Sequence, residues 1–387
     1  MAVLRALRVS PGSAAAVLLP ALERVLSGRD PAFVAAPPDS VAELAALGIG
    51  ETIDDDVALV ATTSGTTGIP KGALLSAAAL TASATATHDR LGGPGGWLLA
   101  LPPYHIAGIQ VLVRSLLAGC TPAELDVTAG FDVTELPSAI AKLGAGRRYA
   151  SLVATQLAKA LGDRAAADAL AELDAVLLGG GPAPQPVLDA AADAGIAVVR
   201  SYGMSETAGG CVYDGVPLDG VRVRVQDDGR IVIGGPTLAK GYRNPVDPDP
   251  FAAPGWFCTE DVGALDERGV LTVLGRADDA ISTGGLTVLP QPVEAALSSH
   301  PAVGDCAVFG VADDRLGQRV VAAIVVRDGY PAPTLDALRD QVTRTLAATA
   351  APRELHIVDV LPRRGIGKVD RMSLVRRFDT DRRAAQP

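Results

Sequence analysis

The sequence predicts an α/β protein of two domains, a large N-terminal α/β domain over residues 1–277 and a small α+β domain over 278–387. Three observations carry this. Short apolar runs alternate with Ala-rich helical stretches as far as about residue 205, the pattern of a largely parallel sheet. From about Val221 the texture changes to hairpins. After Arg276 it changes again, to a strand pair, a helix, two strands, a helix and a strand, which suffices for a second core. At 387 residues, 48% of them hydrophobic, the chain can bury one large core and a smaller one.

The elements follow in order. Ala14–Leu22 resembles the apolar stretch of a signal peptide, but it runs into Glu23-Arg24 without a cleavage region and reads as an amphipathic helix. Strands are expected at Val57–Thr62, Trp97–Leu101, Tyr149–Ala154, Ala175–Leu178 and Ala197–Ser201. Helices are expected at Leu74–Leu91, Ile106–Leu117, Thr155–Leu161 and Pro184–Ala194. Val221–Gln226 and Arg230–Gly234 flank an Asp-Asp-Gly turn, and Gly263–Asp266 and Val270–Leu274 flank Glu-Arg-Gly. In the small domain, helices at Pro292–Ser299 and Leu335–Leu346 alternate with strands at Cys306–Val311, Val320–Val326 and Leu355–Val360. The polar tail beyond Phe378 is expected to fray.

Composition narrows the function. The 34 basic and 44 acidic residues leave a net charge of −10, with no dense Lys/Arg run, which argues against a nucleic-acid surface. Cys120, Cys211, Cys258 and Cys306 are scattered, without a CxxC pair or a histidine at ligand spacing. That weighs against zinc and disulfides and suits a reducing cytosol. No apolar run is long enough to span a bilayer, so a soluble cytoplasmic protein is expected, its oligomeric state unknown.

Chemistry concentrates in a few strings. Thr62-Thr63-Ser64-Gly65-Thr66-Thr67-Gly68-Ile69-Pro70-Lys71-Gly72 packs hydroxyls, glycines and an ammonium behind an apolar strand. Such a loop can wrap an oligophosphate, although by itself it equally suits a solvated linker, and it lacks the Walker spacing. His105 stands where a strand hands over to an apolar helix. Gly179-Gly180-Gly181-Pro182 follows a strand, where glycines admit a flat ring close to the backbone. Tyr202-Gly203-Met204-Ser205-Glu206-Thr207 offers an aromatic ring for stacking, a hydroxyl for phosphate and a carboxylate for Mg²⁺. A single Glu206 suffices, because Mg²⁺ takes one or two carboxylates plus phosphate oxygens.

Taken in order over nearly the whole chain, these strings resemble the adenylate-forming superfamily of acyl-CoA synthetases, adenylation domains and luciferases. The resemblance implies a fold in which the small domain is mobile. It also implies ATP and CoA as co-substrates, Mg²⁺ as cofactor, and roles residue by residue. Thr63, Ser64, Gly65, Thr66, Thr67, Gly68 and Lys71 would hold the phosphates. Gly180, Gly181, Pro182, Tyr202, Gly203 and Ser205 would meet adenine and phosphate, and Glu206 the metal. In Leu101-Pro102-Pro103-Tyr104-His105-Ile106-Ala107-Gly108, His105 would gate or position the acid. Asp261, in Thr259-Glu260-Asp261, would accept the ribose hydroxyls, with Glu260 standing where the family has glycine. Arg276 would contact ribose or phosphate. Asp278 would be the hinge, at the point where the hairpins end and the small domain begins. Lys368, in Pro362-Arg363-Arg364-Gly365-Ile366-Gly367-Lys368, would be the adenylation lysine.

Three strings narrow the resemblance to the o-succinylbenzoate–CoA ligases of menaquinone biosynthesis: Ser151 to Leu157, Tyr202 to Gly215, and Ile281-Ser282-Thr283-Gly284-Gly285. The phosphate loop begins already at Thr62, so a shortened N-terminal subdomain is expected. Arg114 lies on the otherwise apolar helix Ile106–Leu117, and no acid on that helix can pair it. It either snorkels to the surface, meets an acid from elsewhere, or faces the acyl pocket and attracts a second carboxylate of the substrate. Ser151, taken as a strand end, could donate to the same group, with Gly203 and Gly209 lining the pocket. Another aryl or alkyl acid–CoA ligase and an enzyme loading a carrier protein are the alternatives.

Overall fold

The computed structural model describes residues 2–63, 70–364 and 368–384. The expected phosphate contacts at Ser64, Gly65, Thr66, Thr67 and Gly68 lie outside the described residues.

A seven-stranded sheet organises the large domain. Its spatial order is Val216–Pro217, Gly209–Tyr213, Val198–Met204, Ala175–Gly179, Arg148–Val153, Gly96–Leu99 and Ala123–Glu124. The strands from Val198–Met204 to Ala123–Glu124 run parallel, and Gly209–Tyr213 folds back antiparallel. Strand alternation sorts the side chains to two faces. Trp97, Tyr149, Ala175 and Leu177 pack with the helices Ala77–Leu91 and Ile106–Leu117. Leu98, Ala150 and Val176 pack against Ala154–Leu161 and Arg164–Ala171 on the other side.

A second sheet of Arg5–Arg8, Phe33–Ala36, Val57–Ala61 and Ala73–Ser76 stands beside it, the last strand antiparallel. This corrects the expectation of a helix from Leu74. The chain leaving the phosphate loop first pairs back on Val57–Ala61, and the helix begins only after Ser76, whose Oγ caps it by accepting from the Ala79 amide at 3.1 Å. The amphipathic stretch near the N-terminus is a helix over Ala14–Leu26 that buries Leu18, Leu22 and Val25 in the main core.

Both expected hairpins form, with Val225 opposite Ile231 and Leu265 opposite Leu271, within one antiparallel sheet. The small domain packs the helices Pro290–Ser298, Leu335–Thr343 and Arg371–Ala384 on a sheet whose longest strands are Val303–Asp313 and Gly317–Val326. The tail expected to fray is helical as far as Ala384, anchored by buried Leu374 and Phe378. Its apolar clusters begin at Ile281, whereas those of the large domain end at Leu271, so two cores form. Among the described residues, no helix is long and apolar enough to cross a membrane.

Candidate active site

Parallel strands deliver their carboxyl ends, and the loops that follow, to one edge of a sheet, where α/β folds bind ligands. Here that edge receives Leu101 to His105, the exposed turn Gly180-Gly181-Pro182, and Tyr202 to Ser205. Ser205 Oγ donates to the carbonyl of Thr62 at 3.4 Å, which ties this edge to the root of the phosphate loop. The neighbouring Thr63 Oγ1 is buried without a hydrogen-bond partner among the described residues. An orphaned hydroxyl at that point fits a phosphate oxygen.

Tyr202 and Asp261 come together, the phenol donating to Asp261 Oδ2 at 2.8 Å. Burial, then the charge of Asp261, pushes the Tyr202 pKa far above its usual value, so it stays a donor. Asp261 is buried, its amide donates to Thr259 Oγ1 at 3.0 Å, and Arg276 approaches its other oxygen at 3.5 Å. Glu260 does not disturb this turn. It lies within the strand Trp256–Leu265, exposed, with its side chain toward Arg230 and no left-handed backbone. At Gly203 the close approach is made by the backbone of Gly209 on the paired strand, which any Cβ would strike.

Glu206 is buried, and Tyr242 donates to its Oε1 at 2.6 Å. The ammonium of Lys71 lies 5.2 Å from the centroid of the same Tyr242 ring. This brings Lys71 and Glu206 around one tyrosine that the sequence analysis missed; the only hint was an aromatic after Gly241. Among the described residues no cluster of three metal-ligating side chains occurs. One carboxylate, with no described residue bonded to its second oxygen, fits Mg²⁺ that takes its remaining ligands from phosphates and water.

From the small domain, the charge of Lys368 is felt at His105. His105 is half-buried, and burial first, then the charge of Lys368, holds its pKa below the usual value. A neutral imidazole beside a cation suits positioning rather than acid catalysis, since a substrate carboxylate is already ionised above a pKa of about 4. Asp278 occupies the turn between the last large-domain strand, Leu271–Arg276, and Ile281–Thr283. It accepts two hydrogen bonds from Arg276, at 2.8 and 2.6 Å.

Behind His105 a buried polar seam runs between two helices. Ser83 and Thr87, one turn apart on Ala77–Leu91, face Gln110 and Arg114, one turn apart on Ile106–Leu117. Tyr213, Trp97 and His88 close its far end. Thr87 and Tyr213 are hydrogen-bonded at 2.9 Å. Ser83 Oγ, Gln110 Oε1, Trp97 Nε1, His88 Nε2 and Arg114 Nε are buried without a hydrogen-bond partner. Gly209 borders the seam with φ +101°, and a Cβ there would stand 3.0 Å from Gln110 Cγ, so the position calls for glycine.

Arg114 is 3% exposed and forms no hydrogen bond or ion pair with any described residue; its guanidinium lies 4.8 Å from the Trp97 ring centroid. It neither snorkels nor finds an acid. An uncompensated buried charge costs on the order of 3–5 kcal/mol, whereas a ring face returns about 0.5–2 kcal/mol. The deficit suits an anionic ligand. Arg114 stands nine residues beyond His105, roughly 13 Å down the helix, with its side chain inclined back toward His105. Ser151 is not a strand end. It lies inside Arg148–Val153, buried, on the face of Tyr149 and this helix, and has no bond to Arg114.

A large α/β domain followed by a small α+β domain, with these residues gathered at one edge of the main sheet, is the architecture of an adenylate-forming enzyme. Residues 20–243 match the AMP-binding enzyme family and residues 292–368 the AMP-binding enzyme C-terminal domain, and the chain belongs to this family. It is 76% identical to a probable 2-succinylbenzoate–CoA ligase of Mycobacterium tuberculosis, over 97% of this chain and 98% of that protein. The o-succinylbenzoate coenzyme A synthetase of Bacillus subtilis has been solved with the acyl-adenylate intermediate OSB-AMP. It superposes with a TM-score of 0.72 at 29% identity, over 91% of this chain and 80% of that one. The same enzyme with ATP and magnesium ion gives 0.71 at 31%, over 84% and 72%.

Proposed function

We propose that this protein is an AMP-forming, ATP- and Mg²⁺-dependent 2-succinylbenzoate–CoA ligase of menaquinone biosynthesis. The observation that carries the acid's identity is Arg114, a buried unpaired cation at the end of a polar seam that opens beside His105. Succinylbenzoate has a second carboxylate for it; benzoate and fatty acids do not. The relatives support the same acid.

In the first step the reacting carboxylate attacks the α-phosphorus of ATP in line, giving acyl-AMP and pyrophosphate. No protein nucleophile takes part, so positioning and charge neutralisation carry the catalysis. Tyr202, Gly180 and Gly181 meet adenine, Asp261 and Arg276 the ribose, and Thr63 and Lys71 the phosphates. Lys368 neutralises charge that develops at the transferred phosphate. Glu206 would hold Mg²⁺, which when bound neutralises phosphate charge. His105 positions the carboxylate at the seam mouth, and Ser151 and Arg114 address the distal one. The boundary at 277/278 makes Asp278 the hinge about which the small domain swings, withdrawing Lys368 and admitting the CoA thiol.

Pyrophosphate release across a panel of acids tests this reading. Succinylbenzoate should be turned over with CoA in preference to benzoate and fatty acids of similar length. Preference for a monocarboxylic acid, or for a carrier protein over CoA, would replace it with one of the alternatives.

A further inference from the structure

Among the described residues, the strand pair that carries Lys368 is short, and the Asp370 amide extends it by donating to the carbonyl of Pro362 at 2.8 Å. Two backbone-paired positions, Arg363 with Val369 and Arg364 with Lys368, form its ribbon. A ribbon that short is not stable alone, so its flanks must fix it. On one side Arg363 donates to Asp305 at 2.6 Å. On the other, three residues beyond Lys368, stands Arg371.

The Arg371 guanidinium is mostly buried and uses all its nitrogens. Nη1 donates to Asp279 Oδ2 at 3.1 Å, Nη2 to both oxygens of Glu294 at 2.6 and 2.8 Å, and Nε to the carbonyl of Val308 at 3.1 Å. One side chain thereby joins the helix after the lysine loop to the helix Pro290–Ser298, to the strand Val303–Asp313, and to the residue that follows Asp278. The two adjacent aspartates divide the junction. Asp278 is taken by Arg276 of the large domain and Asp279 by Arg371 of the small one. Burial pushes the Glu294 carboxyl upward, and Arg371 is the foremost group pulling it back.

We propose that Arg371 is a positioning residue that locks the Lys368 loop onto Asp279, so that rotation about Asp278 delivers Lys368 as part of a rigid body. The inference rests on the reading of Lys368 and Asp278 given above. Its consequence is specific to the first step. If the link to Asp279 is cut, the loop gains slack relative to the hinge, and Lys368 arrives misplaced. A displacement of about 1 Å can cost up to a hundredfold in rate.

Removing Arg371 outright would strand the buried Glu294 and could unfold the small domain. The test therefore uses Asp279→Ala, which leaves the Arg371–Glu294 pair intact, and Arg371→Lys, which keeps the charge and loses the fork. Acyl-AMP formation and thioester formation from supplied acyl-AMP are measured separately, with thermal midpoints. The expected result is a kcat for adenylation lower by roughly ten- to a hundredfold in both variants. KM for ATP and acid, the thioester step and the Asp279→Ala midpoint should stay close to wild type. Unchanged adenylation in Asp279→Ala, or equal loss of both steps, overturns the proposal. Lys368→Ala and Asp278→Pro, run alongside, show whether the lysine and hinge readings stand, so failure of the clamp alone is recognisable.

Discussion

The charge of Lys368, in the small domain, is felt at His105 of the large one, where after burial it holds the imidazole pKa below its usual value. The two residues are far apart in sequence and belong to different cores. On the reading proposed above, His105 is where the acid it holds would meet the phosphates and the lysine.

Lys368→Ala should abolish acyl-AMP formation while sparing thioester formation from presynthesised acyl-AMP. Its ammonium serves charge that develops in the first step alone, and losing one preorganised donor costs roughly 3–4 kcal/mol, a hundred- to a thousandfold in rate. Separate assays of the two half-reactions check this, and equal loss in both would reassign the lysine.

Asp278→Pro should do the reverse. Proline fixes φ near −65°, which freezes the turn that joins the strands Leu271–Arg276 and Ile281–Thr283. Adenylation should persist and thioester formation fall. Wild-type rates for both steps would move the hinge elsewhere.

His88 should make the protein acid-sensitive. Burial first, and then the charge of Arg114, lower its pKa to about 4, with Asp89 acting weakly the other way. The folded state therefore holds His88 neutral, while the unfolded chain takes up a proton below about 6.5. Its contribution to stability is present above that pH and is lost as the pH falls from about 6.5 toward 4. Thermal midpoints measured between pH 7 and 5 should fall less steeply for His88→Gln than for wild type. Equal slopes would show that His88 does not titrate in this window.

The sequence made most of this fold legible because its signals are local. Apolar runs of strand length, the Asp-Asp-Gly turn and the Ile106–Leu117 helix each declare themselves within a few residues. Leu74 misled because an Ala-rich helix follows it directly, and only pairing with Val60 reveals the strand. Arg5–Arg8 escaped notice because it has little alternation to show. The strings proposed to meet the nucleotide are local in the same way, contiguous runs within a few residues. The seam was not. Ser83 with Thr87 and Gln110 with Arg114 are unremarkable helical pairs until packing sets them face to face, and Tyr242 and the Asp279–Arg371 link likewise exist only in three dimensions. What the sequence did offer there was a cation without a partner on an apolar helix, and burial has turned that clue into an energetic argument.

The central claim is that Arg114 receives the distal carboxylate of the acid, and kcat/KM for two acids on two proteins tests it most directly. Succinylbenzoate and a monocarboxylate analogue are compared on wild type and Arg114→Ala. A charge-assisted hydrogen bond to a carboxylate is worth about 1.5–3 kcal/mol, so succinylbenzoate should lose roughly ten- to a hundredfold, chiefly through its KM, with KM for ATP little changed. The analogue, to whatever extent it is accepted, should be nearly unaffected. Parallel losses for the two acids would contradict the account, making Arg114 a structural cation and leaving the choice of acid to kinship alone.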